Sequence, residues 1–220
     1  MHAVAALWPD AVFCLESAAA LTGLPVFGDP VVVHVLSDAL DTSRLTGGIR
    51  VHTTTRLPPL LDLGGIRATG LLETTIEIAR SRQEAIALSV ADRALRMDGT
   101  VGVEALRETN EQRASRRGRR IARWALSRAR EASESPLESV SRAAVEWPGF
   151  EAPELQAWFA PADGGRDRVD MWWPSVRAIG EADGDVKYDG SIGDPVAALR
   201  ARRDRDALLR AHADAIAHWG

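Results

Sequence analysis

The sequence predicts a mixed α/β protein in two parts, and three observations carry that prediction. Short β-branched runs such as Val31-Val32-Val33-His34-Val35-Leu36 alternate with stretches whose apolar residues recur every three to four positions. A helix-start signal, Ser135-Pro136-Leu137-Glu138, marks a new beginning after residues 132–136, where a boundary is expected. Charge is segregated as well: residues 107–130 hold nine arginines against two glutamates, although the whole chain of 220 residues carries a net charge of -4. A chain of this length buries one large core or two small ones, and these breaks favour two.

In chain order, Glu16 to Leu21 reads as a short helix closed by Gly23-Leu24-Pro25, and Val31 to Leu36 as a strand entered through the turn residues Gly28-Asp29-Pro30. Ile49 to Thr54 is a second strand. Leu72, Ile76 and Ala79 share one face of a helix, as do Ile86, Val90 and Ala94 of the next, which Gly99 ends. Residues 101–131 read as helix again, a short one through Leu106 and then an arginine-rich one with Ile121, Trp124 and Leu126. The next helix runs from Pro136 to about Glu146, where Pro148-Gly149 stops it. Glu154 to Ala160, Arg166 to Trp173 and Val176 to Ala182 read as three strands, followed by a helix from Pro195 to about His212 and a last strand, Ala215 to Trp219. The expected organisation is a small α/β domain over 1–110, a basic linking helix over 111–133 and an α-β-β-β-α-β domain over 134–220.

Composition narrows the function classes. With 45% hydrophobic and 26% charged residues and no apolar run near the roughly 20 needed to span a bilayer, no membrane role is expected. The start Met1-His2-Ala3-Val4 lacks a secretory leader, and the single cysteine, Cys14, has no internal disulfide partner, so a cytoplasmic location is expected. The arginine-rich stretch, with Arg116, Arg117, Arg119, Arg120 and Arg123 at its centre, reads either as a phosphate-binding stripe or as a solvated helix face. Loops of the Gly-x-x-x-x-Gly-Lys-Ser/Thr, Gly-x-Ser-x-Gly and Gly-x-Gly-x-x-Gly types are absent, which removes the usual supports for nucleotide hydrolysis and acyl transfer. His34 and His52 have no acidic neighbour at ligand spacing and receive no catalytic part.

The most chemical stretch is the hairpin around Pro174-Ser175. If those two residues are its loop, Trp173 pairs with Val176, and Glu181 becomes the diagonal neighbour of Asp170 on one face, with Asp183 following on that face. Carboxylates gathered on one face repel unless a cation intervenes, and hard oxygen ligands without Cys or His suit Mg2+ or Mn2+ rather than zinc. A strand end followed by a polar Asp-Gly turn is the competing reading. Lys187, the single lysine among 27 basic residues, lies six positions after Glu181 beside Tyr188, the single tyrosine. It reads as a phosphate or water partner, or as an ordinary surface residue. Glu138 fits both a helix cap and a site-facing carboxylate, and Gln156 on the first strand reaches either the site or solvent.

The order α-β-β-β-α-β, with Asp170 on the second strand and Glu181-Ala182-Asp183 on the third, resembles the restriction-endonuclease-like PD-(D/E)XK fold. More specifically, Glu134-Ser135-Pro136-Leu137-Glu138-Ser139, Pro153-Glu154-Leu155-Gln156, Arg168-Val169-Asp170 and Gly180 to Tyr188 resemble an actinobacterial family. Its members pair an AbiEi-like antitoxin-type region with a domain similar to the very-short-patch-repair endonuclease. Ser17 to Pro25 and Ala85 to Arg96 are similar to the antitoxin-type part, without its N-terminal winged helix. The resemblance implies Mg2+- or Mn2+-dependent hydrolysis of DNA phosphodiesters, with Asp170, Glu181 and Lys187 catalytic and Asp170, Glu181 and Asp183 as metal ligands. Glu138 and Gln156 would be accessory. The lysine usual two residues after the glutamate is Asp183 here, which leaves Lys187 as its displaced counterpart. The alternative is a nuclease-like fold that no longer cuts and acts as an antitoxin-like regulator of DNA, of a cognate toxin or of another protein partner.

Overall fold

The computed structural model describes residues 1–97, 99, 101–160, 165–183 and 195–220. Among the described residues the protein is mixed α/β, with eight α-helices and two mixed sheets in two compact units, Met1–Glu131 and Ala132–Gly220. No helix among them is long and apolar enough to cross a membrane.

The first unit begins with α1 (His2–Leu7), β1 (Val12–Phe13), α2 (Leu15–Thr22), β2 (Val33–Ser37), β3 (Arg44–Thr46), β4 (Ile49–Thr53), β5 (Leu60–Asp62) and β6 (Arg67–Thr69). The strands form one sheet in the order β3-β4-β2-β1-β6-β5, with β2 parallel to β4 and β1 parallel to β6. Sequence periodicity finds β2 and β4 but not the other four, because runs of two or three residues are too short to show alternation. Phe13, Val35, Val51 and Ala68 bury one core against Ala18 of α2. Helices α3 (Leu71–Ser81), α4 (Glu84–Arg96), α5 (Val103–Gln112) and α6 (Arg119–Arg128) enclose a second around Ile76, Val90, Leu106 and Leu126.

The arginine-rich segment is not a free-standing linker. Residues 111 and 112 finish α5, while α6 packs within the first unit. Ala122, Ala125 and Leu126, at positions i, i+3 and i+4, form an apolar stripe that must be covered, and all three are buried. The break between α5 and α6 ends at Gly118 (φ +69°). A Cβ there would fall 1.7 Å from the Arg80 carbonyl oxygen, so only glycine lets the chain pass this close to the end of α3.

The second unit runs α7 (Pro136–Glu146), β7 (Glu154–Phe159), β8 (Asp167–Trp173), β9 (Ala178–Ala182), α8 (Pro195–Leu209) and β10 (Ala215–Trp219). Its sheet has the order β10-β9-β8-β7, with β7, β8 and β9 antiparallel in succession and β10 parallel to β9. A parallel neighbour needs a crossover, and α8 lies in that connection. Val169 and Ile179 pack with Leu209 and Ala213. Gly180 leaves room for two rings: a Cβ there would lie 2.5 Å from the Trp219 ring and 3.0 Å from the Trp173 ring, so a side chain would require the rings to shift.

The β8–β9 connection differs from the two-residue loop expected. Pro174–Val176 make one 3-10 turn and Arg177 (φ 48°) completes it, so Trp173 pairs with Ala178 instead of Val176. The register moves by two residues. An even shift leaves every side chain on its expected face and carries Glu181 from a diagonal position to the rung of Asp170 itself.

Candidate functional site

The site is one transverse row of the second sheet. Leu155 pairs with Met171 and Ala157 with Val169, which sets Gln156 across from Asp170. The rung after Met171–Gly180 sets Asp170 across from Glu181, and Glu181 pairs with His218. Four strands thus contribute Gln156, Asp170, Glu181 and His218 to a single line.

At its centre the two acids clamp each other's strand. The Asp170 backbone N–H donates to Glu181 Oε2 at 3.3 Å, and the Ala182 N–H donates to Asp170 Oδ2 at 2.9 Å. Side chains here take ladder hydrogen bonds that main-chain carbonyls would otherwise accept, so both carboxylates are fixed in orientation. Glu181 is 5% exposed, and its Oε1 accepts from Arg205 Nη1 of α8 at 2.6 Å. Burial holds the Glu181 carboxyl above its ordinary range; Arg205 opposes that shift and the negative charge of Asp170 adds to it. Arg205 also donates to Asp167 Oδ1 at 3.3 Å and to the Arg168 carbonyl at 2.8 Å.

Glu138 approaches from α7. Its backbone N–H donates to Ser135 Oγ at 3.1 Å, the expected cap, while its own Oε2 accepts from the Glu134 N–H at 2.9 Å and from Gln156 Nε2 at 3.0 Å. Capping and facing the row are therefore both true of this residue. Burial raises its carboxyl above the usual range, and Asp170 pushes the same way. Gln156 adopts φ 53°, a left-handed conformation that costs a non-glycine residue about 1 kcal/mol or more. With its amide nitrogen given to Glu138, its Oε1 is buried without a hydrogen-bond partner among the described residues. An orphaned buried acceptor asks for a donor or a cation.

The other expected residues fall elsewhere. Asp183 does not share the Asp170–Glu181 clamp: its Oδ2 lies 3.0 Å from His218 Nδ1 and 3.6 Å from Arg202 Nη1, and His218 Nε2 meets Asp206 at 3.1 Å. Among the described residues, no three His, Cys, Asp or Glu side chains are grouped so as to hold a metal ion. Lys187 lies outside the described residues. Of the five arginines, Arg116 and Arg117 are exposed on the connection before α6, and Arg120 is exposed on α6. Arg123 is paired with Glu111 through two hydrogen bonds of 2.7 and 2.5 Å. Arg119 turns inward, donating to the Arg113 carbonyl at 2.5 Å, and its Nε is buried without a partner among the described residues.

Sequence reasoning missed Arg205, and it missed a group in the first unit. There His34 Nδ1 lies 2.9 Å from His52 Nε2, with the rings stacked at 5.2 Å and 18°. His34 and His52 stand on the adjacent parallel strands β2 and β4, a neighbourhood that spacing along the chain does not reveal. Comparison with family models, with curated proteins and with solved structures gives no match to this chain.

Proposed function

We propose that the second unit, Ala132–Gly220, is a divalent-metal-dependent phosphodiesterase of restriction-endonuclease-like type acting on DNA, and that the first unit is an antitoxin-like binding domain. The observation that carries this reading is the Asp170–Glu181 clamp at one rung of a β7-β8-β9-β10 sheet preceded by α7. The donor set fits a hard cation: two carboxylates held in place, with the unpartnered amide oxygen of Gln156 on the same row. Such an ion supplies Lewis-acid polarisation of a phosphate and a bound water of lowered pKa. Asp170 and Glu181 would hold it, and Gln156 would give a third oxygen. Glu138, with its raised pKa, would hold or release a proton beside the row. Lys187 would steady the phosphate, and Arg116, Arg117 and Arg120 would add backbone affinity that falls with salt.

One observation favours the second reading, a nuclease-like fold that binds without cutting. Arg205 already neutralises Glu181 through a 2.6 Å charge-assisted hydrogen bond, which provides the cation from within the chain. Cleavage of duplex and single-stranded DNA in Mg2+ or Mn2+, compared between the parent and Glu181→Ala, separates the two. Hydrolysis by the parent that falls at least about 100-fold in the variant supports the enzyme. Salt-sensitive binding with no cutting by either protein supports the regulator.

A further inference from the structure

The first unit carries a cavity of ≈ 610 Å³ whose lining charges are all positive or titratable. Arg50 of β4, Arg80 at the end of α3, Arg82 just beyond it and Arg117 from the α5–α6 connection line it, together with His34 and His52. No carboxylate is among its lining residues; Glu16 stands behind, ion-paired with Arg82 and 3.7 Å from His34 Nε2. Arg50 and Arg117 make no ion pair among the described residues. Several guanidinium groups held around a concave space without acids repel one another, and a polyvalent anion relieves that repulsion.

The surroundings hold these groups in place. Arg80 donates to the Asn110 carbonyl at 3.0 Å and to Asn110 Oδ1 at 2.8 Å, and it also bonds the Ser115 carbonyl. With the close passage at Gly118, this pins the segment that bears Arg117 against the end of α3. At the entry to α2, Leu15 takes φ 49°, left-handed backbone beside the same cavity. The hydrogen bond between His34 Nδ1 and His52 Nε2 makes one imidazole the donor, so the pair shares protons as a unit.

We propose that this cavity is a binding site for a terminal phosphate group, a phosphomonoester dianion, held by Arg50, Arg82 and Arg117 with the His34–His52 pair as its proton-accepting floor. Arg50 and Arg117, on separate elements, offer planar donors to different oxygens of one phosphate. A dianion matches several convergent cations better than a diester monoanion does, and a recessed space admits a chain end more readily than a continuous backbone. Burial lowers the pKa of both histidines, and Arg50 and Arg82 lower it further against the pull of Glu16. An arriving dianion reverses that balance, so the pair takes up a proton on binding.

The site differs from the Asp170–Glu181 row, so its test is run on the full chain in chelator, where hydrolysis plays no part. Titration calorimetry compares adenosine 5′-monophosphate with adenosine and inorganic phosphate, and a short 5′-phosphorylated oligonucleotide with its 5′-hydroxyl form. Each phosphorylated probe is expected to bind at least about tenfold more tightly than its unphosphorylated counterpart. Arg50→Gln with Arg117→Gln removes that preference, and heats in buffers of different ionisation enthalpy show net proton uptake. A larger gain from the phosphate in the oligonucleotide pair than in the adenosine pair identifies a nucleic-acid end as the source; equal gains identify a free phosphorylated molecule. If the double variant does not fold, exposed Arg117→Gln alone serves. Equal binding with and without the phosphate, no binding of any probe, or unchanged affinity in the variants overturns the proposal.

Discussion

The two units treat buried charge in opposite ways. In the second, three carboxylates approach one sheet row and the chain supplies their partners: main-chain N–H groups for Asp170 and Glu181, Arg205 for Glu181, and Gln156 with the Glu134 N–H for Glu138. In the first, cations gather at a cavity without lining acids, while Glu77, a largely buried carboxyl nearby, has no cation bonded to it among the described residues. Among the described residues the Glu77 carboxylate accepts from the Leu15 N–H at 3.2 Å and Thr69 Oγ1 at 3.5 Å, and burial pushes its pKa up to about 7. Charge satisfied from within contributes to folding and organises a site, whereas charge left unbalanced waits for a ligand or a proton.

The largest effect expected from breaking this contrast is at Glu77. Its folded pKa of about 7 lies above the ordinary 4.5, so the folded chain binds the proton more tightly than the unfolded chain does. The stabilisation is complete below about pH 4.5 and is lost as pH rises through about 7, a change of about 3 kcal/mol. Amide exchange at Ile76 and Ile78 should report that loss between pH 5 and 8, and Glu77→Gln should flatten it. Unchanged exchange protection of the parent across that window would place the carboxyl in water.

Arg205→Gln addresses the second unit. The Arg205 side chain is 30% exposed and that of Glu181 6%, so removing the cation leaves a buried acid uncompensated beside Asp170, at a cost of about 2 kcal/mol, below that of a fully buried pair. Melting of the variant should recover in millimolar Mn2+, because a ligand that binds only the folded state stabilises it. A melt lowered equally with and without Mn2+ would make Arg205 purely structural.

The smallest expected effect separates two neighbouring arginines. Arg116 is exposed, whereas Arg119 is spent on the Arg113 carbonyl. Arg116→Gln should reduce the salt slope of DNA binding by about 0.9, the share of one phosphate contact, and Arg119→Gln should leave the slope unchanged while lowering the melting temperature. The opposite pattern would reverse which residue meets solvent.

What the sequence could reveal follows from what each feature depends on. The cap at Ser135 and Glu138 is local, so its residue types announce it; only its reach to the Glu134 N–H, instead of the Ser135 N–H, is new. The shared face of Asp170 and Glu181 needs only parity along two strands and survives a loop longer than expected. Their exact rung does not, because loop length sets register. Arg205 and the His34–His52 pair depend on which elements the fold brings together, and neither composition nor periodicity carries that information. The helix expected over 111–133 divides instead between α5 and α6 for a related reason: nine arginines dominate the reading, while the elements that cover the stripe Ala122, Ala125 and Leu126 are brought there by the fold.

The most direct test of the central claim is Mn2+ binding to the full chain, followed by electron paramagnetic resonance, in the parent and in Asp170→Asn. One bound ion in the parent, lost or weakened at least about tenfold in the variant while its melting curve stays cooperative, is the result predicted. Equal binding by the two proteins, or no binding by the parent, would contradict a metal site at the Asp170–Glu181 clamp.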